Sequence, residues 1–80
     1  MSLVELTEMI IKSLVKDPDS ISVKQFDNEE EIIIEAIVPD EEMGSVIGKE
    51  GKIANSIRTI IQASSYMKDN KRVKINISSI

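Results

Sequence analysis

The residues best placed to do chemistry lie together, in Val46-Ile47-Gly48-Lys49-Glu50-Gly51-Lys52-Ile53. Two glycines flank two charged residues, between apolar segments of helical spacing. The pattern reads as a tight Gly-x-x-Gly turn joining two helices. The second helix would aim the free backbone N–H groups of its first turn at whatever occupies the turn. Such an end attracts an anion, and glycine removes the side chain that would hold a phosphate away. Lys49 and Lys52 add positive charge at the same place. Other phosphate patterns fail on spacing. A P-loop needs four residues between its first glycine and a Gly-Lys pair, then Ser or Thr. Here Gly44 and Gly48 enclose three, and Glu50 follows the lysine. No Gly-x-Gly-x-x-Gly occurs, which removes the dinucleotide fingerprint. A plain alternative stays open: a helix–helix turn with cap glycines and no ligand.

Enzymatic chemistry has little to work with. The chain has no cysteine and no histidine. That removes disulfides, thiolate metal sites, the usual general base and the usual transition-metal ligand. Glu29-Glu30-Glu31 reads as a solvated turn, and Glu41-Glu42 as helix-start charges. No paired acids or activated nucleophile stand out. No enzyme, metal or cofactor is expected.

The elements that must position the loop follow from periodicity. Ser2 and Glu5 form a capping box for a helix running to about Lys16, with Leu3, Leu6, Ile10 and Leu14 on its stripe. Asp17-Pro18 stops it. Ile21 to Phe26 reads as a strand, residues 27–30 as a turn, and Glu31 to Val38 as a central strand with a near-continuous apolar run. Pro39 ends that strand, and Asp40 can cap a short helix ending at Gly48. A longer helix starts at Gly51 or Lys52. Its expected buried stripe is Ile53, Ile57, Ile60, Ile61 and Ser64, with Lys52, Asn55, Ser56, Thr59 and Gln62 outward. Residues 68–72 make a charged connector. Val73, Ile75 and Ile77 then alternate with polar residues in a last strand. The fold class is α+β, in the order α-β-β-α-α-β, with a three-stranded mixed sheet and helices on one face.

Eighty residues with 41% hydrophobic content allow one domain, 1–80, with an aliphatic core. No signal peptide or membrane span is visible, so a cytoplasmic protein is the default expectation. The net charge of −4 hides an asymmetry. Residues 1–46 carry three basic and twelve acidic side chains, a net −9, while residues 47–80 carry seven and two, a net +5. The second half therefore suits an anionic partner. Ile33 and Ile37 fall on the sheet face opposite Ile32, Ile34 and Val38, and either stay exposed or are covered by twist and a terminal segment. With Ile60, Ile61 and Ile80 they exceed what one helical layer obviously needs, which favours self-association.

This order, with the Gly-x-x-Gly between the fourth and fifth elements, resembles a type II (prokaryotic) KH domain. The stretches Gly44 to Ile61 and Lys71 to Ile77 look most like its small single-domain bacterial members, and the likeness covers residues 3–79. The resemblance implies non-catalytic binding of single-stranded RNA, as a chaperone or post-transcriptional regulator. It also implies a homodimer, or pairing with a second KH protein of the Jag (KhpB) type. Carried over, Gly48 and Gly51 are the loop glycines, Lys49 lies along the phosphates, and Glu50 fills the other loop position, where many members are basic. A carboxylate there would repel a phosphate unless Glu50 turns to solvent or pairs with Lys52. Ile47, Ile53 and Ala54 would line the groove for bases. Lys68, Lys71 and Arg72 would stand on its opposite wall. The two aromatics, Phe26 and Tyr66, argue against the base-stacking sheets and channels of other RNA modules. The alternative function is a protein–protein or dimerisation module on the same fold, with little RNA binding.

Overall fold

A computed structural model describes residues 2–79. Helix α1, Leu3–Lys12, begins at the expected capping box. The Glu5 amide donates to the Ser2 hydroxyl oxygen at 3.1 Å, and the Ser2 amide donates to the Glu5 carboxylate at 3.0 Å. That second bond is the main cause that holds the Glu5 carboxyl below the ordinary carboxylate range. Strands β1, Ser22–Asp27, and β2, Glu31–Val38, form an antiparallel hairpin. The Asn28 carboxamide oxygen accepts the amides of Glu30 and Glu31 and closes its turn. A 3-10 turn at Asp40–Glu42 leads into the five-residue helix α2, Met43–Ile47. A second such turn, Lys49–Gly51, leads into α3, Lys52–Lys68, and the chain ends in β3, Arg72–Ser79.

The sheet order is β1-β2-β3, so β2 is central as its apolar run required. β3 lies parallel to β2, with Glu31 opposite Arg72 and Val38 opposite Ser79. The crossover between them is α2 plus α3, as a parallel pair demands. Ile32, Ile34, Ala36, Val38 and Ile75 give the sheet a buried face. Leu3, Ile11, Val46, Ile57 and Ile61 pack on it from the helices. The α-β-β-α-α-β order and the mixed sheet match the expected architecture.

Four local expectations change. First, α1 stops at Lys12, not Lys16, because the Lys16 amide bonds outside the helix. The Glu42 carboxylate accepts it at 2.7 Å and accepts the Asp17 amide at 3.1 Å. Glu42 is buried, so it is no solvated helix-start charge. Second, Asp40 makes no side-chain cap; Pro39 precedes the turn instead. Third, the buried stripe of α3 is Ala54, Ile57, Ile61 and Ser65. Ile60 is 48% exposed and Ile61 is fully buried, which reverses one of the two isoleucines thought spare. Ser64 is only partly buried. Fourth, Gln62 does not face out. Its amide group donates to the Lys71 carbonyl at 3.0 Å, and its carbonyl oxygen accepts the Val73 amide at 2.9 Å. Ile33 and Ile37 are half-buried on the helix-free sheet face, with Phe26 directly cross-strand from Ile33. Ile80 lies outside the described residues.

Glu42→Ala leaves two amides without their acceptor and should lower stability by about 1–3 kcal/mol. Glu42→Gln, which keeps one oxygen, should lower it less, and the exposed Glu41→Ala should stay within about 0.5 kcal/mol of the wild type. Urea denaturation midpoints of the three variants check the order.

Candidate nucleic-acid interface

The reversal between α2 and α3 is built from backbone that most side chains refuse. Gly48 sits at φ 77°, ψ 173°, Glu50 at φ 59°, ψ 23°, and Gly51 at φ 75°, ψ 13°. The two glycines are needed for different reasons. A Cβ on Gly48 would meet Ile53 Cγ1 at 2.6 Å, so the helix closes directly over it. A Cβ on Gly51 would meet nothing within 4 Å. Gly51 therefore keeps only its left-handed backbone and leaves open space at the start of α3. No side chain caps that helix start. Its first-turn N–H groups and the positive end of the helix dipole face the open space.

Charge accumulates around it. Lys49, Glu50 and Lys52 are all exposed. No ion pair holds Lys49, Lys52, Arg58 or Arg72 among the described residues, where the Lys12–Glu8 pair at 3.3 Å is on α1. Glu50 holds a left-handed backbone that costs a non-glycine residue about 1 kcal/mol, and its carboxylate has no bond to Lys52 among the described residues. Backbone strain of this kind collects at sites where a loop must present itself to a ligand.

The expected site residues do not all converge. Gly48, Lys49, Glu50, Gly51 and Lys52 form one knuckle, with the three charged residues exposed and the two glycines partly buried. Ile47 and Ile53 flank it, partly buried. Ala54 does not line a groove: it is 1% exposed and belongs to the core face of α3. Lys68, Lys71 and Arg72 do not face the loop either. Lys68 ends the seventeen-residue helix that Lys52 begins. At 1.5 Å per residue the connector therefore stands about 25 Å from the glycines, at the far end of α3 rather than across from its start. The wall opposite the first half of α3 is β3 itself.

Arg58 is the residue the sequence reading passed over. It lines an open cleft between α3 and β3 with Thr59, Ile75 and Asn76. Its Nε donates to the Ile75 carbonyl at 3.5 Å and its Nη1 to the Asn55 side-chain oxygen at 3.1 Å. The signal was available: Arg58 is one helical turn beyond Ala54 and Asn55, in the half of the chain with positive charge.

Alanine at each glycine separates the roles. Gly48→Ala adds both left-handed strain and the Ile53 clash, and should cost about 2–3 kcal/mol or more. Gly51→Ala adds strain alone, about 1 kcal/mol. Gly44→Ala, on an open helical position, should stabilise by about 0.5–1 kcal/mol. Thermal unfolding of the three proteins tests that ranking.

Comparison with known proteins agrees with this geometry. The family described as KhpA/KhpB, KH domain, matches residues 4–77. RNA-binding protein KhpA of Clostridium acetobutylicum is 49% identical over 73 residues, covering 91% of this chain and 96% of the relative. The protein of the same name from Thermotoga maritima is 36% identical over 73 residues, 91% of this chain and 95% of its own. Among solved structures, the Y63A variant of Aquifex aeolicus Era bound to GDP and AlF4− superposes with a TM-score of 0.70 at 20% identity, over 98% of this chain. Era in complex with MgGDPNP and nucleotides 1506–1542 of 16S ribosomal RNA gives 0.66 at 22% identity, over 96% of this chain. This chain spans 30% and 29% of the two Era chains, and the likeness concerns the fold. With the family matched from residue 4 to residue 77 and relatives near half identical, the chain belongs to the KhpA/KhpB family of KH domains.

Proposed function

We propose that this protein is a non-catalytic binder of single-stranded RNA that grips the phosphate backbone at the Gly48–Gly51 knuckle. One observation carries the reading. The uncapped start of α3 opens onto space that a Gly51 side chain would fill, between two exposed lysines free of ion pairs. An RNA phosphate supplies the acceptor and the charge that this arrangement leaves unanswered. Relatives at this identity carry the name RNA-binding protein, which supports the same reading. A role as an RNA chaperone or post-transcriptional regulator in the cytoplasm follows as the biological setting. No helix among the described residues is long and apolar enough to cross a membrane.

The grip is modest. Two to four phosphate contacts, each adding about −0.9 or less to the log–log salt slope, give affinity that salt weakens steeply. Replacing Lys49 and Glu50 by two aspartates should abolish binding and shift stability by less than about 0.5 kcal/mol, since both side chains are exposed. Glu50→Lys should tighten binding by replacing repulsion with attraction. Titration with a short RNA pool at two salt concentrations measures all three. Failure of the wild type to bind any RNA at low salt ends the reading.

A second reading, which coexists with the first, is self-association or pairing with a second KH protein of the KhpB type. Its support is a stripe on α3 that no core residue covers: Ile60 at 48% and Met67 at 88% exposure, with Ala63 between them. A two-fold contact through that stripe would remove it from water. Sedimentation at tens of micromolar should give a dimer that Ile60→Asp returns to monomer. A monomer of 8.9 kDa throughout leaves only the hetero-partner.

A further inference from the structure

On the helix-free face of the sheet, the two strands of the hairpin carry complementary side chains. On β1 the residues of that face are Ser22, Lys24 and Phe26, and on β2 they are Ile37, Glu35 and Ile33. The register sets them side by side: Ser22 with Ile37, Lys24 with Glu35, Phe26 with Ile33. We propose that this face docks a second copy of the chain, with the two hairpins stacked face to face about a two-fold axis that runs between β1 and β2. The contact is separate from the α3 stripe and does not depend on it.

Three observations point to this occupant. Phe26 is 51% exposed, and Ile33 and Ile37 beside it are only partly buried, so the face keeps apolar surface in water. Lys24 and Glu35 are exposed cross-strand neighbours, yet neither is in an ion pair among the described residues. Each charge is therefore available to a partner. Symmetry supplies the third observation. Rotation about an axis between the strands lays β1 of one copy over β2 of the other. Lys24 then faces Glu35 of the second copy, Phe26 lies over its Ile33, and the small Ser22 lies over its Ile37. Every contact occurs twice, as a two-fold interface requires. Other two-fold stackings fail on charge. An axis along β2, or one crossing the strands at Glu35, would set the two Glu35 carboxylates against each other.

Charge also argues against RNA on this face. Glu35 stands at its centre, and Glu29, Glu30 and Glu31 stand at the hairpin turn, where they would repel a phosphate. Size sets the strength of the contact. β1 has six residues, so the stacked hairpins meet over about 20 Å in length and two strands in width. That footprint falls well below the ~800 Å² per partner of a stable interface, so the contact is weak and transient. Aligned sheets stack about 10 Å apart, a gap that the Phe26 ring and the isoleucines can fill. Where the α3 stripe also pairs, two such contacts per chain join dimers into larger assemblies at high concentration.

The test uses the full chain carrying Ile60→Asp, which disables the α3 stripe. Its translational diffusion by NMR should slow toward that of a dimer between about 20 μM and about 2 mM, for a dissociation constant on the order of 1 mM. Lys24→Glu or Glu35→Lys, each added to that chain, should weaken self-association about tenfold or more. An equimolar mixture of those two proteins should restore it, because one copy then offers two carboxylates and the other two ammonium groups. Both substitutions in one chain keep the cross-strand pair of opposite charge, so that protein should fold and associate like its parent. As the single phenylalanine, Phe26 gives its own ring signals, which should shift with protein concentration. No slowing up to about 2 mM, a mixture that diffuses like its separate components, or ring signals that ignore concentration would overturn the contact. Ring signals that move only on addition of a short RNA pool would also overturn it and give the face to nucleic acid. None of these outcomes bears on the glycine loop or on the α3 stripe.

Discussion

The rest of this structure hangs on the close approach at Gly48. There the chain reverses between α2 and α3, with Ile53 seated where a Cβ would be. Because the reversal is that tight, α3 begins beside the end of α2 and can lay its stripe of Ala54, Ile57, Ile61 and Ser65 on the sheet. That in turn returns the chain to the start of β2, where Arg72 pairs opposite Glu31 and the parallel ladder begins. The same geometry leaves the start of α3 bare, with Gly51 open to solvent on its outer side. One steric constraint thus shapes the sheet and the open, uncapped start of α3 together.

The link between helix and sheet is partly polar. β3 is an edge strand, and unpaired edge groups are a liability. α3 answers several of them. Gln62 takes the Val73 amide, Arg58 reaches the Ile75 carbonyl, and the buried Ser65 hydroxyl donates to the Lys71 carbonyl at 2.8 Å. These bonds fix how far apart α3 and β3 stand, and so fix the cleft between them. Glu42 does the same on the other side, tying the segment that follows α1, at Lys16 and Asp17, to the turn before α2. In a chain this small, such bonds position elements that a modest core alone would leave loosely set.

Charge is divided to match. Twelve of the fourteen acidic side chains lie in residues 1–46, including the β1–β2 turn and the turn before α2, while seven of the ten basic ones lie on the loop, α3, the connector after it and β3. A weakly acidic protein therefore has a basic second half, which its net charge conceals. Glu50 is the discordant member. It stands exposed in the knuckle itself, in a backbone conformation that a glycine would hold without strain.

Much was legible in the residues alone. Element order, the central place of β2, the capping box at Ser2 and Glu5, and the glycine turn all rest on local rules: periodicity, cap chemistry and left-handed backbone. Such rules act over a few residues, so one sequence states them. What the sequence could not decide was phase and distance. Ile60 and Ile61 are equally apolar, and only packing chose which is buried. Glu42 and Gln62 look like solvent-facing side chains, yet each meets backbone groups brought near by the fold, from 26 and 11 residues away. Lys68, Lys71 and Arg72 share the loop's sign of charge, but the length of α3 sets them far from it. The sequence determines what each segment can form; tertiary contact alone determines which side chains meet, because their separation in space is not encoded in their separation along the chain.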